Sequence, residues 1–185
     1  MEIIDKKIVW EGRFLRTLII TYKDSSGSIR KWEAVERVNC DGIVVVVPVT
    51  EHKEFLLIRQ FRPVLNGFVI EFPAGLNDKG ESLVDAARRE LIEETGYISD
   101  EFVHLTEGPV SSGMSTEILT VFLALNSYAA PDAVKEQYPA DESESIEVIK
   151  TPLDKIYETL HARGEGGDYI DMKVYGFIEL AKKRL

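Results

Sequence analysis

Between Gly75 and Tyr97 the chain reads GLNDKGESLVDAARRELIEETGY, and its four glutamates, Glu81, Glu90, Glu93 and Glu94, have the type and spacing of hard-cation ligands. No Pro or Gly interrupts Ser82 to Thr95, where Leu, Ala, Arg and Glu dominate, so a helix is expected there. At about 100° per residue, Glu90 and Glu94 then lie one turn apart on one face, with Glu93 beside Glu90. Carboxylates this close repel one another and weaken the helix unless cations neutralise them. Oxygen ligands so grouped suit Mg2+ or Mn2+, which also bridge phosphate oxygens. The simpler alternative is a solvated acidic face.

The flanking residues supply what would position those carboxylates. Asn77, Asp78 and Gly80 make the preceding segment a loop, and Gly96 is placed to end the helix as a left-handed cap. Val84, Ala87 and Leu91 form an apolar stripe that a sheet can bury.

A chain of 185 residues suits one domain with a small appendage, and 44% hydrophobic with 29% charged residues is the balance of a globular protein with a real core. The longest apolar run, Ile43 to Val49, is far too short to span a bilayer, so no membrane partner is expected. The first residues, MEIIDKKIVWEG, lack a signal pattern, and the lone Cys40 can form no internal disulfide; a cytoplasmic location is expected. Cys40 reads as a small buried hydrophobe. A net charge of −10 argues against a nucleic-acid partner, because a phosphate backbone demands clustered Lys and Arg. His52, His104 and His161 have no ligand-like spacing.

Turn signals organise the rest. Asp24-Ser25-Ser26-Gly27 separates two strand-like runs, 16–22 and 29–35, which predicts a hairpin with too little apolar surface to stand alone. Strands are expected at 42–49, 54–62, 68–72, 102–107, 118–124 and 146–149, and a loop over 129–145. Thr151-Pro152 reads as the cap and first residue of a helix, and Ile170, Val174, Phe177, Ile178 and Ala181 mark a last one. Trp10 is expected in a core or interface. The mixture predicts an α+β or αβα sandwich class.

Gly75, Glu81, Arg89-Glu90-Leu91, Glu93-Glu94 and Gly96-Tyr97 together reproduce the whole Nudix box, and the chain resembles the Nudix hydrolases. Seven identities at a background of about 5–7% each coincide on the order of once in 10⁸ positions, which sets the solvated-face reading aside. The resemblance implies the Nudix fold, an αβα sandwich with a mixed central sheet. Outside the box, Glu71-Phe72-Pro73-Ala74-Gly75, Arg59-Gln60-Phe61-Arg62-Pro63 and Trp32-Glu33 resemble the ADP-ribose and nucleoside-diphosphate-sugar pyrophosphatases. That subfamily implies a small N-terminal antiparallel β-domain, here residues 1–37, exchanged across a homodimer, and a catalytic domain over 38–185. Enzymes selective for ADP-ribose tend to carry Pro fifteen residues past the box; here that position is Ser112, which leaves GDP-mannose and other nucleotide sugars open.

By the same resemblance, Glu90 and Glu94 are the first metal ligands, joined by Glu93, the Ala74 carbonyl and Glu81. Gly75, Arg89 and Gly96 are structural, with Arg89 tying the glutamates. Trp32, Glu33, Arg37, Arg59, Arg62, Ser112 and Met114 fall to the substrate surface: Trp32 to stack on a base, or else to sit in a core, and Arg59 and Arg62 to clamp phosphate. The general base is expected at Glu142 on a late loop, with Glu144, then Glu93, as alternatives. The implied reaction is divalent-metal-dependent hydrolysis of a nucleotide sugar to a nucleoside monophosphate and a sugar phosphate. The alternatives are a hydrolase of dinucleotides or damaged nucleotides, and a silent ADP-ribose sensor.

Overall fold

Three strands, β1 (Glu2–Glu11), β2 (Leu15–Lys23) and β3 (Ile29–Arg37), form an antiparallel sheet in that order. The computed structural model describes residues 1–77, 80–139 and 145–185. The β2–β3 turn falls where Asp24-Ser25-Ser26-Gly27 predicts it, with Gly27 at φ 86 and the Asp24 carboxylate accepting the amides of Ser26 and Ser28 at 2.9 Å. β1 is exposed along its whole length, and Trp10 is 58% exposed rather than in this chain's core.

A separate nine-stranded mixed sheet carries the rest of the chain. Its strands are β4 (Ile43–Thr50), β5 (Glu54–Arg62), β6 (Gly67–Glu71), β7 (Ala74–Leu76), β8 (Tyr97–Ile98), β9 (Glu101–Pro109), β10 (Ile118–Ala129), β11 (Ile146–Pro152) and β12 (Tyr169–Ile170). The helices are α1 (Leu83–Thr95), α2 (Asp132–Lys135), α3 (Ile156–Glu165) and α4 (Met172–Lys182). β4 pairs in parallel with β10 and antiparallel with β5 and β7.

The apolar run of β4 is continuous because both of its faces are covered. Val44 and Val46 pack with Ala86, Ala87 and Leu91 of α1. Val45, Val47 and Val49 pack on the other side with Ile156 and Leu160 of α3 and Val174 and Ile178 of α4. Helices on both faces give the expected sandwich. No helix among the described residues is long and apolar enough to cross a membrane.

Three local expectations shift. The helix expected from Thr151 begins instead at Ile156, because Thr151 and Pro152 close β11 opposite Phe55 and Glu54, and the Thr151 hydroxyl meets that of Thr159 at 2.7 Å. Proline is tolerated there as the last residue of a ladder. The region expected as loop opens with the end of β10 and α2 before the undescribed residues 140–144. Cys40 is partly exposed, its thiol donating to the Gly42 carbonyl at 3.1 Å.

Candidate active site

The box helix is fixed at both ends. Ser82 caps α1 through its hydroxyl, which accepts the Asp85 amide at 3.2 Å, and Gly96 adopts φ 71 while its amide donates to the Ile92 carbonyl at 2.8 Å. These are the capping contacts that a helix needs for its orphan amides and carbonyls. Burial of Ala86, Ala87 and Leu91 against β4 and β10 then turns Glu90 and Glu94 toward β7.

β7 meets them with its backbone. Antiparallel pairing of Val45 with Ala74 and Val44 with Gly75 lays this short strand beside the helix, and the Ala74 amide donates to the Glu94 carboxylate at 2.9 Å. A Cβ at Gly75 would overlap the Glu90 carboxylate. Glycine is needed here for close approach rather than for its φ.

Arg89, 9% exposed, ties the cluster. Its Nε donates to Glu81 at 2.9 Å, one terminal nitrogen to Glu90 at 2.6 Å and Glu93 at 2.9 Å, and the other to the Leu76 carbonyl at 2.9 Å. Burial pulls the guanidinium pKa down, but the Glu81 hydrogen bond and the Glu90 and Glu93 carboxylates outweigh it and hold the pKa above its ordinary value. Asn77 adds a strut, its side-chain amide donating to the Glu81 carbonyl at 2.8 Å.

Glu81, Glu90 and Glu93 thus share one guanidinium, and with Glu94 on the Ala74 amide they leave an excess of negative charge beside a backbone strand. Among the described residues no group of three or more His, Cys, Asp or Glu is drawn together as a ready-made metal cage. The donor chemistry nonetheless fits a hard divalent cation: carboxylate oxygens with a backbone carbonyl beside them, and no sulfur or imidazole in the set.

Next to Ala74 lies a cleft of about 180 Å3 lined by Phe72, Arg62, Glu71, Arg37, Glu117 and Lys173. Arg62 pairs with Glu71 at 2.7 Å, and Arg37 with Glu117 at 2.7 Å. Burial pushes the Glu71 carboxyl above its ordinary value, against the pull of Arg62. A larger cleft of about 490 Å3 shares Arg37, Ile43 and Glu117 with the first and adds Arg16, Glu36, Asp41 and Thr116.

The residues expected at the substrate surface divide. Arg37 and Arg62 line the smaller cleft with Ala74. Arg59 lies elsewhere: it pairs with Asp168 at 2.9 Å and stacks over Phe68 at 3.6 Å, with Glu147 nearby. Trp32 is half exposed, its indole N–H donating to the Gly113 carbonyl at 2.9 Å. Glu33 and Met114 line an apolar groove of about 480 Å3, and Ser112 is exposed on the adjoining loop. Glu142 and Glu144 lie outside the described residues.

Glu117, Glu71 and Lys173 line the cleft without having been singled out as site residues. The Arg37–Glu117 pair depends on a tertiary approach that no spacing announces. Asp171 carried a readable signal, since it caps α4 by accepting the Lys173 amide at 2.8 Å, an Asp directly before an apolar periodic run. That cap sets Lys173 at the cleft, where its ammonium meets Asp171 at 2.5 Å.

Comparison with known proteins identifies the family. The NUDIX domain model matches residues 41–168. The chain is 33% identical to an ADP-sugar pyrophosphatase of Mus musculus, over 95% of this chain and 84% of that protein. It is 31% identical to an ADP-ribose pyrophosphatase of Bacillus subtilis, over 86% of this chain and 83% of that one. A crystal structure of an ADP compounds hydrolase superposes with a TM-score of 0.77 over 99% of this chain and 92% of its own, at 20% identity, and so shares the fold. With the box intact and the family match spanning most of its length, the chain belongs to the Nudix hydrolases.

Proposed function

We propose that the chain hydrolyses the pyrophosphate bond of nucleoside diphosphate sugars, with Mg2+ (or Mn2+) as cofactor, to a nucleoside monophosphate and a sugar phosphate. The observation that carries this reading is the packing of Glu90 and Glu94 against the Ala74-Gly75 backbone, beside a cleft holding Arg37, Arg62 and Lys173. Relatives named for ADP-sugars and ADP-ribose support the substrate class.

Glu90 and Glu94 would hold the cation, with the Ala74 carbonyl, Glu93 and Glu81 as further ligands. A bound divalent cation supplies neutralisation of phosphate charge where the reaction builds it up. Arg89 is a positioning residue whose bonds to Glu81, Glu90 and Glu93 keep those carboxylates from splaying apart. Arg37 and Arg62, each already turned to a carboxylate on the cleft wall, exchange that partner for a phosphate oxygen, a pairing that suits the planar guanidinium. Trp32 offers a flat face to the base. Glu142, with Glu144 as the alternative, takes the proton of the attacking water as a P–O bond of the bridge breaks. Residues 1–37 form a domain exchanged across a homodimer, an assembly that the exposed Ile4, Val9 and Trp10 of strand β1 support.

The test is to incubate the protein with ADP-ribose, GDP-mannose and a dinucleoside diphosphate, with Mg2+ and with a chelator, and to separate the products. Metal-dependent release of AMP with ribose phosphate, or GMP with mannose phosphate, is the expected result. Cleavage of the dinucleotide alone would move the reading to that class. Tight binding of ADP-ribose without cleavage would make the chain a sensor.

A further inference from the structure

The loop between β9 and β10 is joined to the N-terminal sheet of the same chain. The Val35 amide donates to the Met114 carbonyl at 2.8 Å, and the Thr116 amide donates back to Val35 at 3.1 Å. The Arg37–Glu117 pair closes one end of this seam at 2.7 Å, and the indole N–H of Trp32 reaches the Gly113 carbonyl at the other at 2.9 Å. Within the loop, the amides of Met114 and Ser115 both turn back to the Ser111 carbonyl. The two backbone bonds form with any side chains, so at the loop apex the bond that depends on residue type is the one from Trp32. The loop borders two recesses: Met114 lines the apolar groove with Glu33, and Thr116 and Glu117 line the larger cleft with Arg37.

We infer that Trp32 is a positioning residue for nucleotide-sugar selectivity: its indole N–H latches Gly113, so that the loop 111–117 and the N-terminal sheet act as one preformed wall of the substrate site. The inference rests on the nucleotide-sugar reading of that site. One bond does two things. It removes the torsional freedom of a half-exposed indole, fixing the plane that its ring face presents, and it sets the loop apex that carries Ser112 and Met114. Fixing both before the substrate arrives removes an ordering cost from binding. A stacking role alone would need the ring face and be indifferent to the N–H.

The test replaces that nitrogen and nothing else. Trp32 is exchanged for β-(3-benzothienyl)alanine, which keeps the bicyclic face and puts sulfur where the N–H was. ADP-ribose and GDP-mannose are the probes. Loss of one hydrogen bond should raise KM about 2- to 10-fold, leave kcat near wild type, and change the ratio of kcat/KM between the probes. In the unmodified protein, the Trp32 indole proton should exchange with solvent more slowly than that of free N-acetyltryptophanamide under the same conditions. Wild-type KM and selectivity in the benzothienyl variant, or an indole proton exchanging as fast as that of free N-acetyltryptophanamide, would overturn the latch while leaving the enzyme reading intact. A wild-type protein that cleaves neither probe removes both.

Discussion

Gly75 and Glu90 are packed so closely that a single methyl group at Gly75 would occupy the space of the Glu90 carboxylate. The contact makes the glycine of the box a direct determinant of where the Glu90 carboxylate, proposed as a metal ligand, stands. Gly75→Ala should therefore displace Glu90 and break its bond to Arg89. Overpacking of a tight site costs about 1–3 kcal/mol, so the variant should still fold but melt lower, with turnover reduced at least about 100-fold, the loss a misplaced group of this kind causes. Thermal melting and steady-state kinetics read both, and a fully active Gly75→Ala enzyme would show that the close approach has no role.

Glu94→Gln keeps the shape of the side chain, and an amide oxygen can still accept from the Ala74 amide, but the charge is gone. Loss of turnover on the order of 10³-fold is expected with little change in melting temperature, because what is lost is charge toward the cation. Activity within tenfold of wild type at saturating Mg2+ would remove Glu94 from the ligand set.

Glu142→Gln should lower kcat with KM nearly unchanged, the pattern of a group acting in the transition state. Removal of a general base costs about 10²–10⁴-fold. A near-normal Glu142→Gln with a crippled Glu144→Gln would transfer the role to Glu144.

The box was legible because its constraints are local. Ser82 and Gly96 cap the helix through contacts three and four residues away, and the Glu90–Glu94 spacing follows from helical geometry alone. The alternation of Val44 and Val46 against Val45, Val47 and Val49 likewise follows from a strand buried on both faces. What sequence did not announce depends on distant approach. Arg37 meets Glu117 eighty residues on, and Trp32 meets Gly113 eighty-one residues on. Arg59 reads like Arg62 in the RQFRP stretch, yet pairing with β6 and the turn before β12 deliver it to Phe68 and Asp168. The Thr151-Pro152 signal misled because its composition serves the end of an edge ladder as well as the start of a helix.

Asp24 gives a prediction in pH. Hydrogen bonds from the Ser26 hydroxyl, the Arg30 guanidinium and the Ser28 amide hold its carboxyl at about 2, below the ordinary 3.8. A carboxyl depressed on folding contributes stability above its unfolded value and loses that contribution as pH falls through the folded one. The β2–β3 turn should accordingly keep its geometry at pH 4 and loosen toward pH 2. Carbon-13 titration of the Asp24 carboxyl, with the Ser26 and Ser28 amide shifts following the same midpoint, checks this; a midpoint near 4 would mean the turn bonds do not persist in solution. Asp24→Asn should abolish the transition.

The N-terminal sheet leaves an apolar surface uncovered by its own chain: Ile4, Val9, Trp10 and Phe14 are each more than half exposed. Isolated exposed hydrophobes are ordinary, but several close together in sequence on one exposed strand and its turn are what a homodimer interface would cover. A homodimer with the domain 1–37 exchanged would cover it and carry Trp32 and Glu33, still joined to loop 111–117 of their own chain, to the partner's cleft. Deleting residues 1–37 should then abolish dimerisation and nucleotide affinity together, whereas Trp32→Ala should keep the dimer and weaken binding. A stacked base is worth about 1–3 kcal/mol, or about 5- to 150-fold in affinity. Light scattering and calorimetry on the two variants separate assembly from recognition. A fully active wild-type monomer would end the exchange model, and wild-type affinity in Trp32→Ala would leave the ring face of Trp32 without a role in binding.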